Sequence, residues 1–157
     1  MIYLQNKVMK ISLWEDTEDE KQEILDLTKK TFGDVEITNP SYFDWQYRNN
    51  PDGKALVLLF RDDSNNQIIG TNTIIPLKLI VDGEIITSSL ACNVQVHPDY
   101  RKKKIFSKLL LSMPKFAIVN GIHSLFAIPN DNSFKAFING GSIEITQLPL
   151  LIKPIKF

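Results

Sequence analysis

The stretch from Leu90 to Ala117 constrains the fold more than any other, because its hydrophobic period changes once and abruptly. Leu90, Cys92, Val94 and Val96 alternate with Ala91, Asn93 and Gln95, the two-residue period of a strand with one face buried. His97-Pro-Asp-Tyr-Arg-Lys-Lys-Lys104 breaks that pattern, and Ile105, Phe106, Leu109, Leu110, Met113, Phe116 and Ala117 then recur at helical spacing. A strand, a basic loop and a helix are therefore predicted in that order. The unpaired amides of a helix's first turn and the positive end of its dipole face whatever sits in such a loop, which makes it an expected anion site. Pro114 removes one intrahelical bond and is expected to kink the helix; Asn120-Gly121 is expected to end it.

The flanking sequence supplies the rest of an α/β domain. Val8 to Leu13 reads as a short strand. Thr17-Glu-Asp-Glu20 has the spacing of a reciprocal capping box, and the helix it starts carries Ile24, Leu25 and Leu27 on one broad face, lysines 29 and 30 in its last turn and Gly33 as its stop. Ser41 to Asn50 is aromatic-rich and predicts a short second helix closed by Pro51-Asp-Gly53. Strands follow at Ala55 to Phe60 and Gln67 to Val81 around the polar turn Asp62 to Asn66, and Asp82-Gly83 signals a tight hairpin into the strand already described. Pro76 lacks an amide donor and marks an edge or a bulge. Beyond the long helix, Ser124 to Ile128 predicts a fifth strand, Asp131 to Asn139 a short helix, and Ile143 to Ile152 a last extended segment interrupted by Pro149.

A chain of 157 residues has room for one domain, taken here as residues 1–157. Eighteen basic residues balance eighteen acidic ones, so the overall charge points to neither nucleic acid nor an anionic membrane. No apolar run approaches a membrane span and the N-terminus has no secretory pattern, which leads us to expect a cytoplasmic protein. Cys92 is the only cysteine, so an internal disulfide is excluded; with His97 and His123 for company it makes no metal-ligand cluster, and no metal is expected. Cys92 is expected to be an inert buried thiol on the apolar face of its strand, and both histidines surface or packing residues. The aromatic cluster at 42 to 47 is read as core anchoring, with a wall of an acceptor pocket as the alternative.

The order Val94-Gln-Val96-His-Pro98-Asp-Tyr100-Arg101-Lys-Lys-Lys104-Ile105-Phe106 resembles the coenzyme A motif of the GNAT acyl-CoA N-acyltransferases, V-x-P-x-y-R-x-x-G-x-G/A. Asn130, followed seven residues later by Phe137 and then by Gly140-Gly141, is similar to the family's second landmark. Tyr42-Phe-Asp-Trp45-Gln-Tyr47-Arg-Asn-Asn-Pro51 looks like a subgroup of its bacterial members, so the resemblance covers essentially the whole chain. It implies the GNAT fold: a mixed, mostly antiparallel central sheet with helices on both faces and its fourth and fifth strands splayed. It also implies acetyl-CoA as co-substrate, with Val94, Gln95 and Val96 along its pantetheine arm, Arg101, Lys102, Lys103, Lys104, Ile105 and Phe106 around its pyrophosphate, and Asn130 and Phe137 near the arm. The implied reaction is direct attack of a primary amine, from a small molecule or a peptide, on the thioester, with a backbone amide of the fourth strand stabilising the oxyanion.

Three departures from the family pattern bear on this. The consensus glycine is Lys104, whose side chain opposes close backbone approach. The tyrosine that protonates the leaving thiolate in many members is Phe137, so no general acid or base is assigned. After Ser142 only one extended segment stands where the family has a sixth and a seventh strand; this predicts missing C-terminal strands, a chain that is either the N-terminal part of a longer protein or a shortened member of the family, and a sheet edge open to homodimer pairing. These departures keep a second reading open, a GNAT-fold binding or regulatory module without turnover.

Overall fold

The computed structural model describes residues 9–147. A first strand, β1 (Met9–Leu13), leads to helix α1 (Glu18–Phe32). Thr17 caps α1 as its spacing predicts, its hydroxyl accepting the Glu20 amide at 3.3 Å. The reciprocal half differs. Glu20 accepts the amide of Glu15 at 2.8 Å rather than that of Thr17, because Asp16 at φ 63 turns the chain just ahead of the cap. Gly33 at φ 81 closes the helix by donating to the Lys29 carbonyl.

Helix α2 (Pro40–Phe43) is capped by the Asn39 side chain and runs directly into a π-helical turn over Asp44–Arg48. The aromatic segment is thus helical as expected, with a wider last turn that its sequence does not announce. Strands β2 (Leu56–Asp62), β3 (Ile68–Val81) and β4 (Glu84–Val96) follow as an antiparallel run. Asp82 (φ 52) and Gly83 (φ 85) form the two-residue turn between β3 and β4, the left-handed pair that matches strand twist. Pairing of β3 with β2 stops at Ile74 opposite Leu56, so Pro76 lies where β3 has lost its β2 neighbour. Helix α3 (Ile105–Val119) continues through Pro114 and ends at Asn120-Gly121. Strand β5 (Ser124–Ala127) and helix α4 (Asp131–Asn139) complete the described elements.

The sheet order is β1-β2-β3-β4-β5, antiparallel except for the parallel β4–β5 pair. Both faces are covered, which is why β2 is apolar at consecutive positions rather than at alternate ones. Leu58 and Phe60 face α3 and meet Ile69, Ile74, Val96, Ile105, Leu109, Met113 and Ala117. Val57 and Leu59 face α1 and meet Ile24, Leu25, Leu27, Phe43, Tyr47 and Ile68. Gly70 on β3 lets α3 approach the sheet: a Cβ there would lie 3.1 Å from the Gln95 carbonyl, 3.1 Å from Leu109 Cδ1 and 3.2 Å from Ile105 Cγ2.

One C-terminal expectation changes. Residues 143–147 of the predicted last extended segment carry no strand, and Ile143 and Ile145 are exposed with no sheet neighbour to bury them. The rest of that segment, Pro149 and the edge after Ile152 lie outside the described residues, as does Val8 at the start of the first predicted strand.

Candidate functional site

Strands β4 and β5 pair from Ser88–Ser124 to Ala91–Ala127, and there the pairing ends. Strand β5 gives way to Ile128 and Pro129, whereas β4 continues to Val96. The strands part, leaving the backbone groups of residues 92–96 without β5 partners. A cavity of about 930 Å³ opens at the parting, walled by residues 91–96, 127–130, the start of α3 and one face of α4. This is the splay that the family resemblance implies.

Within the open stretch, β4 carries an extra residue. Thr71 opposes Gln95 and Thr73 opposes Cys92, so the single residue Asn72 faces both Asn93 and Val94. Asn93 takes the left-handed conformation, φ 49, which asparagine tolerates better than most residues. The bulge overturns the simple alternation of the sequence. Directly opposed residues share a face, so Cys92 lies with Thr73, whose hydroxyl donates to Tyr47 on the α1 side. Ala91, Val94 and Val96 pack on the α3 side. The expectation that Cys92 shares a face with Val94 and Val96 is thus corrected: a period of two cannot count through an inserted residue. Gln95 also faces α1, donating from Nε2 to Thr28 Oγ1 at 2.8 Å.

The basic loop closes one end of the cavity. Arg101, Lys102 and Lys104 line it and are exposed, while Ile105 and Phe106 bring the first turn of α3 to its wall. Lys102 and Lys104 have φ values of 65 and 58. Lys104 therefore takes a left-handed conformation, which glycine adopts freely, and carries a cationic side chain there. It is the cap residue of α3 and makes no side-chain capping bond, so the positive end of the helix meets the cavity beside three cations. Phe106 stands at the second small position of the consensus, a departure the sequence reading passed over; it packs partly buried against the α3-side core.

Lys103 is the one predicted binding residue that does not border the cavity. Its Nζ lies 4.4 Å from the centroid of the Tyr100 ring, and Tyr100 in turn donates to the buried Asp62 carboxylate at 2.8 Å. His97 is buried, stacks edge-on against Tyr100 and accepts the Asp99 amide; His123 is exposed near the Thr87 carbonyl. Neither histidine borders the cavity, in keeping with packing and surface roles.

On the far wall, Asn130 caps α4, its Oδ1 accepting the Ser133 amide at 3.1 Å and the Ser133 hydroxyl at 3.0 Å. That oxygen is already engaged in holding the helix start. Ser133, Ala136 and Phe137 follow along the same helix face. Thr31 and Phe32 at the end of α1 also line the cavity, and no motif links them in sequence to the loop. Cys92 borders it as well, its thiol pushed up to about 12 by burial, so it is protonated and unreactive at neutral pH. Of the aromatic cluster, Phe43 and Tyr47 are core residues packed with Trp14, and Trp45 is exposed beside Tyr42. None of them borders this cavity. Among the described residues no group of three His, Cys, Asp or Glu side chains is placed to hold a metal, and no helix is long and apolar enough to cross a membrane.

The fold recurs in solved structures. Glucosamine-6-phosphate N-acetyltransferase from Arabidopsis thaliana superposes with a TM-score of 0.68 at 14% identity, over 93% of this chain and 99% of that one. The aminoglycoside antibiotic 6'-N-acetyltransferase AAC(6')-Ih from Acinetobacter baumannii gives 0.67 at 18% identity, over 95% and 100%. A predicted acetyltransferase from Clostridium acetobutylicum, solved with acetyl-CoA, gives 0.68 at 15% identity, over 92% and 96%. No curated protein matches the sequence. The family model described as an acetyltransferase (GNAT) domain matches residues 15–116, from just before α1 to within α3. With that match over most of the chain, and the splayed β4–β5 pair opening onto a basic loop at a helix start, the protein belongs to the GNAT acetyltransferase family.

Proposed function

We propose that this protein transfers an acetyl group from acetyl-CoA to a primary amine of a small molecule or a peptide by direct attack. The observation that carries the reading is the cavity at the parted strands, lined at one end by Arg101, Lys102 and Lys104 and along its length by the edge of β4 that has lost β5. The loop fits a diphosphate because cations and an uncapped helix start converge there. The free edge at Val94, Gln95 and Val96 fits an extended amide-bearing arm, which can add to it as a strand would. The bound thioester supplies an activated acetyl carbon. The amine nitrogen bonds to that carbon, the carbon–sulfur bond breaks, and the proton shed by the amine reaches the thiolate through solvent. This chain's part is to orient the two reactants and to offer a preorganised β4 amide to the developing oxyanion.

Isothermal titration with acetyl-CoA and coenzyme A tests the site, and absence of binding at millimolar concentrations would refute the proposal. A second reading, a binding module without turnover, is favoured by Phe137 and by the raised Cys92 thiol, neither of which exchanges a proton near neutral pH. Release of free thiol from acetyl-CoA with any member of an amine panel, abolished by Val96→Trp, would exclude it.

A further inference from the structure

The bulge in β4 is held from outside the sheet. Asn93 Nδ2 donates to the Tyr47 hydroxyl at 2.9 Å and to Gln46 Oε1 at 3.4 Å. Both acceptors sit in the π-helical turn Asp44–Arg48, and such wide turns recur at functional sites. The Tyr47 hydroxyl also accepts from Thr73 Oγ1 at 3.3 Å, so one buried oxygen joins both strands that flank the bulge. Tyr47 itself is wedged against Phe43, ring centroids 4.3 Å apart, and Trp14. Ion pairs brace the turn: Lys21 to Asp44 at 2.8 Å, and Arg48 to Asp16 and Glu18 at 2.6 Å each. A braced element thus reaches through Tyr47 to a left-handed residue that lies two positions past the last β4–β5 pair and lines the cavity.

We propose that Tyr47 and Asn93 are positioning residues: their hydrogen bond holds the β4 bulge so that the β5-free edge of residues 94–96 faces the pantetheine arm in register. This rests on the coenzyme A reading above. A left-handed non-glycine residue is held only where its surroundings over-determine it. Here the surroundings are the phenol oxygen and the Gln46 amide. Without them the extra residue is free to shift along β4, and a shift of one residue turns every side chain beyond it to the other face and every amide to the other edge of the strand.

The test compares two probes on the intact protein: coenzyme A, and adenosine 3′,5′-bisphosphate, which carries the nucleotide phosphates and no pantetheine arm. Tyr47→Phe and Asn93→Ala are expected to weaken coenzyme A binding about tenfold, the effect of one buried hydrogen bond, and to leave the bisphosphate unchanged. Asn93→Gly, which takes positive φ freely, is expected to bind coenzyme A more tightly than Asn93→Ala. Equal losses for both probes would show a merely structural role and overturn the inference, as would unchanged coenzyme A affinity in Tyr47→Phe. Failure of the unmodified protein to bind coenzyme A would instead overturn the proposed function and this inference with it.

Discussion

Replacing Gly70 tests whether the approach of α3 to the sheet sets both the stability of the domain and the shape of its cavity. An alanine Cβ would stand 3.1 Å from the Gln95 carbonyl oxygen and 3.1–3.2 Å from methyl carbons of Leu109 and Ile105, closer than carbon atoms comfortably pack. The two methyl groups end flexible side chains and can give by a few tenths of an ångström. The carbonyl belongs to Gln95 on β4, and it moves only with the strand. Overpacking of this kind costs about 1–3 kcal/mol, and alanine recovers about 0.5–1 kcal/mol of the entropy that glycine loses on folding. Gly70→Ala should therefore destabilise by about 1 kcal/mol, or roughly 3 °C in melting temperature. Gly70→Val, with two more carbons against the same wall, should cost about 3 kcal/mol and roughly 10 °C. Urea unfolding followed by circular dichroism should show the lower midpoint with an unchanged slope, and coenzyme A titration should show weaker binding in Gly70→Ala because a displaced β4 carries Gln95 and Val96, which line the cavity, with it. An alanine variant as stable as the parent, or more so, would refute the claim that this contact limits the packing.

Three further outcomes follow from the site and its surroundings. Arg101→Ala combined with Lys102→Ala removes two cations from the loop and should weaken coenzyme A by about tenfold to thirtyfold at low salt, with a flatter salt dependence, in titrations repeated across ionic strength. Asp44, held below the usual carboxylate range mainly by its hydrogen bond from Lys21, and Asp16, held low first by Lys54, bind protons more weakly folded than unfolded. Their stabilisation is complete above about pH 4 and is lost as pH falls through their folded values, so acid melts of Asp44→Asn should show a smaller loss of stability across that window than the parent does. Cys92, half-buried at the cavity wall with its thiol pushed up to about 12, should react with iodoacetamide at pH 8 on the order of a thousandfold more slowly than a free cysteine; fast labelling of the folded protein would contradict the raised thiol.

Much of the scaffold was legible because its signals are local. The change of period between Val96 and Ile105 marks the end of one element and the start of the next, and Thr17, Gly33, Asp82-Gly83 and Asn120-Gly121 act through their own backbone neighbours. The candidate site was legible only along one strand and one loop. Lys103 falls inside the motif that the resemblance assigns to the pyrophosphate, yet the Tyr100 ring draws it off the cavity. Thr31 and Phe32 reach the cavity from α1, about sixty residues upstream, and carry no motif. Asn93 had a faint signal, an asparagine inside a β-branched and apolar strand, which suits a left-handed position better than a regular one.

Hydrophobic period, capping chemistry and turn residues are properties of neighbouring positions, and they determined the elements, their order, the two-sided burial of β2 and the basic loop ahead of α3. Which face Cys92 takes, where β4 leaves β5, and which lysines border the cavity depend on contacts between segments distant in the chain. The extra residue at Asn93 is stabilised by a phenol from another element, and the parting of the strands by where each runs out of a partner. Those outcomes belong to the assembled sheet and its helices, because the energy that selects them exists only once the segments meet.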